Sequence, residues 1–168
     1  MAIIGPNRQI KLMQYICDLH IHSKYSRATS KETDIENLNK WARIKGVNIL
    51  GTGDFTHPLW FKELKEKLEP VEEGLFLLKH QDTRYKKQTN HNHQNSNHQT
   101  RFILTTEISS IYSKKGKTRK IHNIIFAPSF EIVEKINTHL GWIGNLKSDG
   151  RPILGLDAKE LAKIVLGI

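Results

Sequence analysis

Two histidines one residue apart, His20 and His22, follow the apolar run QYICDLHI. At that spacing on an extended chain both side chains point to the same side, so two imidazoles can reach one metal ion. Taken alone, such a pair is more often incidental than a pair of ligands. A second group, Asp54 and His57 in GTGDFTHP, is bracketed by Gly51, Gly53 and Pro58. Glycines let a backbone turn tightly beside an ion or a phosphate. The bland alternative is an Asp54 that caps the following helix and a His57 on the surface. Glu107 closes the apolar run FILTTEI, and His122 opens IHNIIFA. A carboxylate and an imidazole in such surroundings need partners, because isolated buried charge is costly. A shared cation would supply them, as would a Glu107–lysine ion pair and a His122 satisfied within the core.

Four successive apolar runs thus each carry His, Asp or Glu near one end, giving the candidate ligand set His20, His22, Asp54, His57, Glu107 and His122. Nitrogen and carboxylate donors without thiolate suit Zn²⁺, with Mn²⁺ or Fe²⁺ as alternatives. Two or three such ions close together can activate water and stabilise displacement at phosphorus.

The elements that must position these residues read as alternating strands and helices. Residues 14–21 form a strand-like run, and Thr33 with Glu36 has capping-box spacing for a helix over 34–45 that Gly46 ends. A second strand over 47–51 leads through the glycine turn to helical spacing in LWFKELKEKLE beyond Pro58. A short apolar run covers 75–78, and strands over 102–108 and 121–127 are joined through KKGK. Helices are expected over 130–139 and 158–166, the latter with Asp157 as cap and Glu160 completing the box. This alternation indicates an α/β layer or barrel with a parallel sheet, in which function sits at the carboxyl ends of strands.

Lys and Arg outnumber Asp and Glu by 26 to 17, a net charge of +9 that favours polyanionic partners such as nucleic acid. Lys24, Arg27 and the basic turn Lys114, Lys115, Lys117 and Arg119 are the candidates for phosphate contact, although a basic turn is also an ordinary solvated hairpin. No run approaches the roughly 18 apolar residues of a membrane helix, and the opening residues lack a signal peptide's pattern, so a cytoplasmic location is expected. Cys17 lies in an apolar run, where a small buried thiol is expected. Residues 1–13 read as an N-terminal extension. The segment 79–101 is almost free of apolar residues and reads as a solvated His/Asn/Gln-rich insertion, its His91, His93 and His98 lacking a rigid frame.

The segments DLHIHSKYSRATS, GTGDFTHP, TTEIS and KIHNIIFAP, in that order, resemble the opening motifs of the polymerase and histidinol phosphatase (PHP) superfamily. That resemblance implies a distorted seven-stranded β/α barrel, a trinuclear metal centre and phosphoester hydrolysis by a metal-bound hydroxide. His20, His22, His57, Glu107 and His122 would be metal ligands, and Asp54 a ligand or a partner that orients one. Within the superfamily, HSKYSRATS with GTGDFTHP is most similar to the endonuclease Q group, DNA-repair enzymes that nick 5′ to deaminated bases or abasic sites. Where many members carry aspartate in HSxxSDG, this chain has Arg27, which could meet a phosphate instead. The superfamily places further ligands, including an Asp-x-His pair, on later strands, and a complete β/α barrel needs about 200 residues or more. The 168 residues are therefore expected to supply about the first four β/α units, completed by a missing C-terminal half or by oligomerisation. A small-molecule phosphatase and a non-catalytic barrel fragment are the competing readings.

Overall fold

The computed structural model describes residues 14–79 and 99–168. The expected extension over 1–13 and most of the expected insertion, with His91, His93 and His98, lie outside the described residues. The elements run in the order β1 (Cys17–Asp18), α1 (Ile35–Lys45), β2 (Ile49–Gly51), α2 (Pro58–Lys67), β3 (Leu68–Glu72) and β4 (Leu75–Leu78), followed by β5 (Arg101–Lys114), β6 (Lys117–Ala127), α3 (Phe130–Gly141), β7 (Ile153–Leu154) and α4 (Ala158–Leu166). Among the described residues the result is a mixed α/β architecture of a seven-stranded sheet and four helices.

The long β5 is the spine. It pairs in parallel with β2 and β7 and antiparallel with β4 and β6, while β1 lies parallel to β2 at one edge and β3 antiparallel to β4 at the other. The expectation of a parallel sheet therefore holds for β1, β2, β5 and β7 only. The antiparallel half arises because short turns at 73–74 and 115–116 join β3 to β4 and β5 to β6, and turns that short can only return a strand antiparallel.

Local chemistry explains where the elements start and stop. α1 is capped by Asp34, whose side chain accepts from Asn37 N at 2.8 Å, rather than by the expected Thr33. Thr33 is instead tied by its backbone to Ser30 and Lys24, and Glu36 pairs with Lys67 at 2.8 Å. Gly46, at φ 72°, ends the helix in the left-handed conformation. Pro58 opens α2, and the helix stops at Lys67 because Leu68 joins β3 and pairs with Leu78. Pro70 then holds its neighbour extended, so the helical spacing that reads through Glu69 is not used. Asp157 caps α4 as expected, accepting from Lys159 N at 2.9 Å, while Glu160 turns to Lys163 instead of closing a capping box.

The core lies between the sheet and the helices. Ile35 and Ala42 of α1, Trp60 and Leu64 of α2 and Val133, Ile136 and Leu140 of α3 are buried with Phe102, Leu104 and Ile108 of β5. Trp60 does more than fill volume: its Nε1 donates to Gly53 O at 2.9 Å and Thr52 O at 3.2 Å, fixing the turn after β2 from below. Cys17 is exposed, contrary to expectation, because β1 is an edge strand whose neighbours Tyr15 and Ile16 are also exposed. Among the described residues, no helix is long and apolar enough to cross a membrane.

Candidate metal centre

Glu107 stands in the middle of β5 with its side chain 2% exposed, and three imidazoles converge on its carboxylate. His20 Nε2 lies 2.7 Å and His22 Nε2 3.0 Å from Oε2, while His122 Nδ1 contacts Oε1. His122 arrives through the hairpin register: it pairs with Ser109, two residues along the same face of β5 from Glu107, which makes it a diagonal neighbour. The hairpin extends well past the expected strand ends, so both residues are mid-strand. His20 and His22 lie beyond β1, in the loop that leaves its carboxyl end. The donor atoms of His20, His22 and Glu107 lie within 4.8 Å of one another.

The loop is held against the Gly51–Gly53 turn by close backbone approach. A Cβ on Gly53, whose φ is +63°, would sit 2.4 Å from Ile21 O, so only glycine serves there. Gly53 N donates to Thr105 Oγ1 on β5 at 2.8 Å, joining the turn to the strand that carries Glu107. Asp54 follows with φ 51°, an uncommon conformation for a non-glycine residue. It is fully buried. Its Oδ2 accepts from Ser23 N, Ser23 Oγ and Ser26 Oγ at 2.6, 2.7 and 2.9 Å, and its Oδ1 lies 2.9 Å from His22 Nδ1. A neutral His22 that donates Nδ1–H to Asp54 turns a bare Nε2 towards Glu107, the orientation a ligating imidazole needs. Asp54 therefore does not cap α2, whose N-cap is His57 with no side-chain cap bond.

Charge is arranged accordingly. The hydrogen bond to Asp54 raises the His22 pKa above its ordinary value, burial opposing it and the charges of Asp54 and Glu107 reinforcing it. Burial would push Glu107 up, but hydrogen bonds from His20 and His122 and the charge of Arg151 outweigh it and bring the carboxyl below the usual range. Arg151 Nη1 stands 3.8 Å from Glu107 Oε1, so among the described residues an arginine, and not the lysine considered from the sequence, lies beside this carboxylate.

His57 is buried outside this group, its ring stacked on Tyr25 with centroids 4.4 Å apart and its Nδ1 without a hydrogen-bond partner among the described residues. Burial lowers its pKa. The candidate phosphate contacts divide into two kinds. Lys24 is paired with Glu63 at 2.9 Å, Arg27 with Asp149 at 3.1 Å and Lys114 with Asp157 at 2.7 Å, whereas Lys115, Lys117 and Arg119 are exposed around the β5–β6 turn.

Sequence reasoning missed Ser23, Ser26, Thr105 and Arg151. The serines stand one and four residues after His22, where hydroxyl donors for a buried carboxylate could have been sought. Arg151 lies in SDGRP, outside any apolar run, and no periodicity marks it.

No family model matches the chain. An uncharacterized protein of Methanocaldococcus jannaschii is 32% identical over 149 residues, spanning 88% of this chain and 14% of that protein. The crystal structure of the lesion-specific endonuclease PfuEndoQ from Pyrococcus furiosus is similar with a TM-score of 0.69 at 30% identity, covering 90% of this chain and 32% of that one. Endonuclease Q in complex with a 27-mer duplex substrate with an abasic lesion at the active site is similar with a TM-score of 0.68, again at 30% identity and the same coverage. The chain thus spans 32% of the length of these solved relatives.

Proposed function

We propose that the chain takes part in metal-dependent hydrolysis of DNA phosphodiesters, nicking 5′ to deaminated bases or abasic sites in the manner of endonuclease Q. Its strands and helices would form about the first four β/α units of a PHP-type barrel. The observation that carries the reading is the convergence of His20, His22 and His122 on the buried Glu107, in a chain 30% identical to a lesion-specific endonuclease over 90% of its length.

The donor set fits a divalent cation. Two imidazole nitrogens and a carboxylate oxygen, mutually within 4.8 Å and with no thiolate, suit Zn²⁺, or else Mn²⁺ or Fe²⁺. His20, His22 and Glu107 would hold one ion. His122 and His57, whose buried Nδ1 has no partner, would serve neighbouring ions in a complete site. Bound there, such an ion supplies Lewis-acid stabilisation of the charge that develops on a phosphoryl oxygen. The chain's own residues orient and hold: Asp54 fixes the tautomer and direction of His22, and Ser23 and Ser26 hold that carboxylate in place. Lys115, Lys117 and Arg119 project from the hairpin, where they would meet backbone phosphates, with Lys24, Arg27 and Lys114 available if their ion pairs open.

The test is incubation of the Zn²⁺- or Mn²⁺-loaded chain with labelled duplexes carrying one abasic site or one uracil. Nicking on the 5′ side of the lesion, absent from an undamaged duplex, is the expected result. Cleavage of small phosphate monoesters alone would replace the DNA reading with a phosphatase. Absence of both metal uptake and cleavage would mark a non-catalytic module.

A further inference from the structure

We infer that Arg151 is the phosphate clamp of this site, its guanidinium set beside the metal-ligating cluster to receive non-bridging oxygens of the substrate's phosphodiester. The inference rests on the metal-dependent reading above. Ile153 of β7 pairs in parallel with Ser109 of β5, and Arg151 stands two residues before Ile153 as Glu107 stands two before Ser109. Its Nη1 reaches 3.8 Å from Glu107 Oε1, too far for a hydrogen bond, and its side chain remains 42% exposed. Among the described residues, the guanidinium donates no hydrogen bond to the protein.

The backbone around it is anchored to the two loops that build the centre. Arg151 N donates to Asp149 Oδ1 at 3.0 Å, and Gly150 N donates to Tyr25 O at 3.0 Å. A Cβ on Gly150 would lie 2.3 Å from Asp54 Oδ2, so the chain passes directly over the carboxylate that orients His22. Arg151 is therefore aimed by the same contacts that shape the cluster. Once Glu107 shares its charge with a divalent cation, a guanidinium beside it faces like charge. An anionic oxygen lying between metal and guanidinium resolves that repulsion. The planar fork of arginine suits a phosphodiester's two non-bridging oxygens, which one lysine nitrogen cannot match.

A purely structural Arg151, present only to neutralise Glu107, predicts a different pattern, and the experiment separates the two. Wild type, Arg151→Ala and Arg151→Lys are loaded with Mn²⁺, their metal content is measured, and binding of inorganic phosphate is read from paramagnetic relaxation of its ³¹P signal. Expected are equal metal content in all three, phosphate affinity about tenfold or more weaker in Arg151→Ala, and partial recovery in Arg151→Lys. Phosphate binding that is equal in wild type and Arg151→Ala, or absent from metal-loaded wild type, overturns the inference. So does loss of metal from the alanine variant. A wild-type chain that takes up no metal rejects the metal reading itself and the clamp with it. Lesion nicking by wild type that persists undiminished in Arg151→Ala rejects only the clamp.

Discussion

Asp54 satisfies its buried carboxylate with two hydroxyls, one backbone amide and the Nδ1 of His22, all from the loop that follows β1. That convergence makes it the residue whose loss should loosen the centre without removing a donor atom from the His20, His22 and Glu107 group. Asp54→Asn is expected to weaken Zn²⁺ binding by about 10–100-fold, measured by competition with a chromogenic chelator. Glu63 gives a prediction in pH. Burial would raise its pKa, but hydrogen bonds from Tyr25 and Lys24 and the charges of Lys24 and Lys67 outweigh it and hold the carboxyl below the ordinary value of 4.5. A carboxyl depressed in the folded state contributes stability above its unfolded pKa, and that contribution is lost as pH falls through the folded value. Glu63→Gln should therefore lower stability at about pH 7, by on the order of 2 kcal/mol, with the gap from wild type closing as the pH falls below the ordinary carboxyl range in thermal unfolding scans. At this scale the residue types of the centre were legible, because histidines and acids interrupting apolar runs stand out in any one-dimensional reading. Their supports were not. Ser23, Ser26 and Thr105 act through the direction in which a loop turns, and no spacing rule encodes that direction.

Elements were legible in proportion to their periodicity. The four helices show clear apolar faces and end signals, and the structure contains all four. The cap of α1 is the exception: Thr33 and Asp34 are both good caps by type, and the choice falls on Asp34 because Thr33 is engaged in the backbone turn with Ser30. Asp34→Ala should cost about 1 kcal/mol in denaturant unfolding, while Thr33→Ala should cost less than about half of that. Strand β3 went unread because LEPVE continues a helical pattern until the pairing of Leu68 with Leu78 overrides it. The outer halves of β5 and β6 went unread for another reason. In SSIYSK the buried residues are the hydroxyl-bearing Ser109 and Ser110, and from Ser113 through Lys120 the chain is exposed and polar, so no apolar alternation marks these strand ends in the sequence.

At the scale of the whole molecule, the net +9 charge has one local expression on the hairpin, which buries Glu107 with the half-exposed His122 against it and carries Lys115, Lys117 and Arg119 in the open around its turn. The same two strands would thus link the metal centre to a DNA backbone. Replacing Lys115, Lys117 and Arg119 together with alanine should weaken binding to damaged and undamaged duplexes alike. It should also reduce the slope of log affinity against log salt by about one unit for each phosphate that is no longer neutralised. An unchanged slope would leave those residues as an ordinary solvated turn.

Everything turns on whether Glu107 and its imidazoles hold a cation. The direct measurement is elemental analysis of the purified chain beside Glu107→Gln, with circular dichroism to establish that the variant is folded. The account predicts at least one tightly held divalent ion per wild-type chain and its loss from the folded variant. A wild-type chain that retains no divalent metal after exposure to Zn²⁺ or Mn²⁺, or a Glu107→Gln chain that retains as much as wild type, would contradict it.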